Sequence, residues 1–120
     1  MIAAAAALVA ACVPSPTELN VDESQVQGLW QRSGTHEYWR YRADNSGVTW
    51  NTDDDVSEEE SNLVYTWTIT GGNVLRHVFT GLQGNQAVPK VYTISEISAA
   101  QMRLEDGYGL SYTLIKQADQ

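Results

Sequence analysis

Short runs in which apolar or aromatic side chains alternate with polar ones constrain this chain more than any other feature. Alternation of period two is the signature of a strand with one face buried, because successive side chains leave a strand on opposite sides. Val26, Gly28 and Trp30 alternate with Gln27, Leu29 and Gln31. Glu37, Trp39 and Tyr41 alternate with Tyr38, Arg40 and Arg42, and Val48 and Trp50 flank Thr49. Leu63, Tyr65, Trp67 and Ile69 alternate with Val64, Thr66 and Thr68. Further runs of this kind cover 74–80, 90–95, 101–105 and 110–116. No window of helical length carries a 3.6-residue period.

The links between these runs carry turn chemistry. Asp44-Asn45-Ser46-Gly47, Gly71-Gly72-Asn73 and Asp106-Gly107-Tyr108-Gly109 supply residues that tolerate positive φ. Short links join sequence neighbours as antiparallel hairpins. About eight such strands predict an all-β fold, a small antiparallel up-and-down barrel, because closure removes the exposed edges of a small sheet. The barrel domain is expected over 25–117. Two longer links, 51–62 and 81–89, interrupt the pattern, and the second lies where a barrel mouth would be.

The 120 residues include four Trp, six Tyr and one Phe, enough aromatic bulk for one real core. Fifteen acids face seven bases, a formal charge of −8. That balance makes nucleic acid a poor partner, since phosphate binding needs a cationic patch. A single cysteine, Cys12, excludes a disulfide framework or a Cys-based zinc site within one chain.

Residues 2–12, Ile-Ala-Ala-Ala-Ala-Ala-Leu-Val-Ala-Ala-Cys, form an apolar run too short to span a bilayer. It has the length of the apolar core of a signal peptide. Its end, Val9-Ala10-Ala11-Cys12, resembles a bacterial lipobox, in which the cysteine is lipidated and becomes the mature N-terminus. Residues 1–11 then read as the signal peptide, and 12–24 as lipidated Cys12 with a flexible tether rich in proline and polar residues. The expected partner on this side is a membrane, and the expected location is the bacterial envelope, at the outer membrane. No Lys or Arg precedes the apolar run, so Met1 reads as an internal start with a basic segment upstream.

The segment Asn51-Thr-Asp-Asp-Asp-Val-Ser-Glu-Glu-Glu-Ser-Asn62 holds six acids and no base. The other nine acids and seven bases leave only −2 elsewhere. Ser57 with Glu60 matches a capping box, which predicts one helical turn near 57–61. Asn51, Asp53, Asp55, Ser57 and Glu59 stand at alternate positions, as ligands do in the first part of an EF-hand loop. Val56 stands where that loop needs glycine, and Asn62 where it needs a bidentate glutamate. Asp53, Asp55 and Glu59 are therefore only weak cation candidates, and a solvated acidic loop is the preferred reading.

Trp50-Asn-Thr-Asp-Asp-Asp-Val-Ser-Glu-Glu-Glu, Tyr65-Thr-Trp67-Thr-Ile69 and Val88-Pro89-Lys90-Val91-Tyr92-Thr93-Ile94 together resemble the small lipocalin-like lipoproteins of Bacteroidetes. Gly28-Leu-Trp30 and Tyr108-Gly109-Leu-Ser-Tyr112 fit the same pattern. The resemblance covers about 25–117 and rests on core aromatics and turns. It implies a β-barrel on a lipid anchor. It implies no activity and transfers no catalytic residue.

Trp30, Trp39, Tyr41, Trp50, Tyr65, Trp67, Tyr92 and Tyr112 are expected on one barrel face. An eight-stranded barrel is just wide enough for its own side chains or one small ligand. A filled core and a stacking platform at an open end are thus both open. On the platform reading, Trp50, Tyr65, Trp67 and Tyr92 are the contacts for a small apolar or planar ligand. On the filled reading, the protein is an accessory factor whose surface meets another envelope protein. His36, Tyr38, Arg40 and Arg42 read as an outer face paired with acids, and His77, between Leu75 and Phe79, as a packed histidine. No nucleophile elbow, zinc-protease motif or phosphate-cradling loop is present, so neither an enzyme nor a cofactor is expected.

Overall fold

Eight strands with alternating inward side chains close into a cylinder in the computed structural model, which describes residues 19–80 and 87–118. The strands are β1 (Gly28–Arg32), β2 (Glu37–Tyr41), β3 (Ser46–Asn51), β4 (Val64–Thr70), β5 (Val74–Phe79), β6 (Val88–Ile97), β7 (Gln101–Glu105) and β8 (Ser111–Gln117). Each pairs antiparallel with the next, and β8 returns to β1, so no sheet edge is left open. This is the up-and-down barrel that the alternation predicts. Cys12, its flanking apolar run and most of the 81–89 link lie outside the described residues. Among the described residues no helix is long and apolar enough to cross a membrane, which says nothing about strands.

The registers decide which side chains share the interior. Trp30 opposes Trp39, Trp67 opposes His77, Leu75 opposes Tyr92, and Ile94 opposes Leu104. Seven of the eight aromatics expected on one face follow this pattern. Trp50 does not. It opposes Tyr38, whereas Thr49 opposes inward-facing Trp39, so Trp50 takes the outer side of β3. Its indole stacks on the Tyr38 ring at 5.5 Å and 15°. Alternation misassigned it because Val48, Thr49 and Trp50 are all buried, one face by the barrel and the other by the acidic segment.

That acidic segment is largely exposed, as the solvated-loop reading expects, yet it is also tied to the barrel. It lies back across the outer face of β2 and β3. Arg40 Nε donates to Glu58 Oε2 at 2.7 Å, Ser61 Oγ donates to the Thr49 carbonyl at 2.6 Å, and Thr52 N–H to the His36 carbonyl. His36 Nδ1 lies 2.7 Å from Asp53 Oδ1. The expected pairing of the outer-face cations with acids therefore holds. The helical geometry is displaced from its expected place. A 3-10 turn spans Thr52–Asp54 and ends at Asp55 in the left-handed region, φ 61°. At 57–60 there is only a hydrogen-bonded turn, with Ser57 N–H donating to Glu60 Oε1. Those bonds from Ser57 hold the Glu60 carboxyl below its ordinary range.

The barrel begins earlier than expected. Residues 19–24, assigned above to the tether, pack onto it. Val21 is buried and its N–H donates to the Gly72 carbonyl at 2.7 Å. Asp22 and Gln25 form a capping box for the one-turn helix α1 (Glu23–Val26). Val26 is buried, and its carbonyl accepts the Trp30 indole N–H at 2.8 Å. This helix, the Lys116 ammonium 4.6 Å over the Trp30 ring, and Val21 close one end of the cylinder. Gly28 lets the Lys116 stem pass, since a Cβ there would stand 2.5 Å from Lys116 Cε. Gly47 likewise leaves room for the Tyr65 ring, which a Cβ would meet at 2.3 Å.

Candidate functional site

The barrel interior is filled at the α1 end and open at the other. The strand ends Arg32, Glu37, Asn51, Phe79 and Val88 form the open rim, above a cavity of about 520 Å³. Small-ligand sites commonly occupy about 300–1,000 Å³. The wall is mainly aromatic and aliphatic: Trp39, Tyr41, His77, Phe79, Tyr92, Tyr112, Leu104 and Leu114. The filled-barrel expectation is thus met in one half of the cylinder and not in the other.

Of the four contacts read from the sequence, Tyr92 and Trp50 line the cavity, and Trp50 does so from beside the rim while stacked outside on Tyr38. Tyr65 and Trp67 lie beneath it in the solid part. Tyr65 O–H donates to the Arg40 carbonyl at 2.7 Å, and Trp67 Nε1–H to the Ser46 carbonyl at 3.1 Å. Both are essentially inaccessible and do not line the cavity. Burial drives the Tyr65 hydroxyl well above its ordinary pKa.

His77 marks the boundary between the two halves. It is 1% exposed and is surrounded by the rings of Trp39, Tyr41, Tyr65, Phe79 and Tyr92. The Trp39 indole stacks on it at 5.3 Å and 22°. A 2.8 Å hydrogen bond joins its Nε2 to the Tyr41 hydroxyl, whereas its buried Nδ1 has no partner among the described residues. Desolvation lowers its pKa to about 3, so the imidazole is neutral at physiological pH. The packed-histidine reading therefore holds. Burial also pushes the Tyr41 hydroxyl well above its ordinary pKa.

Charged groups stand at the rim. Arg32 lies 3.6 Å from Glu37 and 4.8 Å above the Tyr112 ring. Glu37 also accepts the Trp39 indole N–H at 2.7 Å, which sets the angle of that wall residue. Tyr112 O–H donates to Asp106 at 2.8 Å, lowering the Asp106 pKa and raising that of Tyr112. Lys90 opposes His77, so its side chain leaves β6 toward the interior. Burial raises the Tyr92 pKa, and its hydroxyl stays protonated at neutral pH.

Sequence reasoning placed Trp39 on the inner face without naming it as a ligand contact, and it missed Lys90. The signal for Lys90 was present: Val88, Lys90, Tyr92 and Ile94 alternate along one strand, so a polar residue shares the face of two apolar ones and an aromatic. The weak cation candidates Asp53, Asp55 and Glu59 do not converge. Asp53 meets His36 and Asp55 ends the 3-10 turn. No cluster of three or more metal-ligating side chains occurs among the described residues. What this arrangement offers chemically is a largely aromatic pocket, open at one end, under a charged rim. No protein-family model, curated protein or solved structure matches the chain.

Proposed function

We propose that this protein is a binding module for a small apolar or planar ligand held in the mouth of the barrel. The observation that carries the reading is the cavity of about 520 Å³, walled by Trp39, Phe79, Tyr92, Leu104 and Leu114. Core packing leaves few voids of that size, so an interior that stays open beneath a ring of aromatics is shaped for an occupant. Aromatic walls give a flat or chain-like apolar body large contact area at little entropic cost.

The lipid anchor on Cys12 and the envelope location belong to the same proposal. Their support is the lipobox-like Val9-Ala10-Ala11-Cys12 and the polarity of the barrel. Val21 bonds to Gly72 in the turn between β4 and β5, so the chain enters at the closed end. An anchored barrel would then present its mouth away from the bilayer.

Native mass spectrometry of the protein purified from its own host tests the binding reading. A retained small molecule, released on denaturation, is the expected result. A bare polypeptide mass, together with no binding of apolar probes by calorimetry, would overturn it. An accessory role in protein contacts has one observation in its favour: Tyr108 is 92% and Leu110 59% exposed in the turn between β7 and β8, at the open end. For the anchor, Cys12→Ala should move the protein from the membrane to the soluble fraction, and unchanged fractionation would refute it.

A further inference from the structure

The polar groups on the cavity wall separate into those already used by the fold and those left over. Trp39 Nε1–H is held by Glu37, the Tyr112 hydroxyl by Asp106, the Tyr41 hydroxyl by His77, and the Thr49 hydroxyl by the Tyr38 carbonyl. The Arg32 guanidinium is neutralised by Glu37. The groups that remain without a hydrogen-bond partner among the described residues include the Lys90 ammonium and the Tyr92 hydroxyl, besides the buried His77 Nδ1 and the Asn51 amide nitrogen, and of these Lys90 alone is a cation without a counter-ion. Lys90 opposes His77 and Tyr92 opposes Leu75, so both stand on the inner face of β6, two residues apart. That spacing is about 7 Å along a strand, which the four-carbon lysine stem can close. The adjoining segment 81–86 contains no Asp or Glu to neutralise Lys90. Asp54, the unpaired acid at the rim, follows β3, three strands away around the cylinder, and lies beyond ion-pair distance.

We infer that the ligand is an amphiphile with a single anionic head group, its apolar body lying against Trp39, Phe79 and Tyr92 and its head group held by Lys90 and Tyr92. This inference rests on the binding reading above and adds the chemical class of the occupant. Lys90 supplies a charge-assisted hydrogen bond at the level where the cavity meets water. The Tyr92 hydroxyl supplies a second donor slightly deeper. A ligand without the anion leaves both donors to water and loses that attraction. An organic cation would meet the unpaired Lys90 ammonium, although the aromatic walls and the rim carboxylates Glu37, Asp54 and Asp106 suit it.

Three probes of equal chain length separate these cases by calorimetry on the full chain at neutral pH: decanoate, decanol and decyltrimethylammonium. Decanoate should bind about tenfold more tightly than decanol, the size of one charge-assisted hydrogen bond near a surface. Lys90→Gln should remove most of that preference without changing decanol affinity, and Lys90→Arg should retain it. Tyr92→Phe should weaken decanoate by about threefold. Lys90 is exposed and Tyr92→Phe keeps the half-buried ring, so these variants keep the fold. Equal affinity for decanoate and decanol, unchanged decanoate binding in Lys90→Gln, or a preference for the cation would each overturn the inference while leaving the binding module standing. Failure of all three probes to bind would overturn the inference, and together with a bare polypeptide mass from the host it would overturn the binding module as well.

Discussion

The two ends of this barrel use the same residue types for opposite purposes. At the closed end, polar tips of large aromatics are tied to backbone carbonyls: Trp30 to Val26, Trp67 to Ser46 and Tyr65 to Arg40. A carbonyl is fixed by the sheet, so each ring is fixed with it, and the packing leaves no room for an occupant. At the open end the tips bond to charged side chains, Trp39 to Glu37 and Tyr112 to Asp106, or to nothing in the described structure, as with Tyr92. The partner chosen by the polar tip of an aromatic thus separates rings that hold the fold from rings that can meet a ligand. Buried polar groups without such partners cost stability, and apart from the buried His77 Nδ1 the free ones named here lie toward the rim.

The sharpest way to break this contrast is to truncate one aromatic from each half. Trp67→Ala should destabilise the protein by about 3–5 kcal/mol in urea titration, because it empties a volume the closed end cannot refill. Trp39→Ala, at a wall that already borders open space, should cost only about 1–2 kcal/mol while weakening binding of apolar probes. Equal costs would show that the two halves are packed alike.

Acid stability probes the boundary between them. The His77 pKa is about 3 in the folded protein and near 6.5 in an unfolded chain. As pH falls below 6.5 the unfolded chain takes up a proton that the folded one refuses, so stability falls. The loss should reach about 2 kcal/mol by pH 5, above the range where most carboxylates titrate. His77→Gln should remove this slope in pH-dependent denaturation. A wild type whose stability is flat from pH 6.5 to 5 would mean that His77 is hydrated.

The smallest effect belongs outside the barrel. Glu58→Gln removes the anion that holds Arg40 and, at 3.5 Å, Arg42. It should cost about 0.5–1 kcal/mol, since the pair is only partly shielded from water. Salt should reduce the difference between variant and wild type. A larger cost would show that the acidic segment is integral to β2 and β3 rather than a cover over them.

Much of this architecture was readable in advance. Wherever a strand has one wet and one dry face, as at Tyr65, Trp67 and Ile69, alternation identifies the inward residues. It fails at Val48–Trp50, where the acidic segment dries the outer face and the period vanishes. It fails again at 19–24, where a proline-rich approach gives way to Val21 and a one-turn helix too short to carry a period. The site was legible only in part. Tyr92 stands out as an aromatic in an inward register, but Lys90 looks like an ordinary solvated residue until its strand partner is known.

The amino-acid sequence by itself determined the strand count, the antiparallel connectivity and most of the inward set, because these follow from local period and turn chemistry. The tertiary structure alone decided which inward aromatics are sealed and which border open space, where the acidic segment lies, and that Lys90 and Tyr92 stand together without partners. Those properties depend on how the cylinder closes and on which loop folds across which strand. They are contacts between residues far apart in the chain, and no local pattern encodes them.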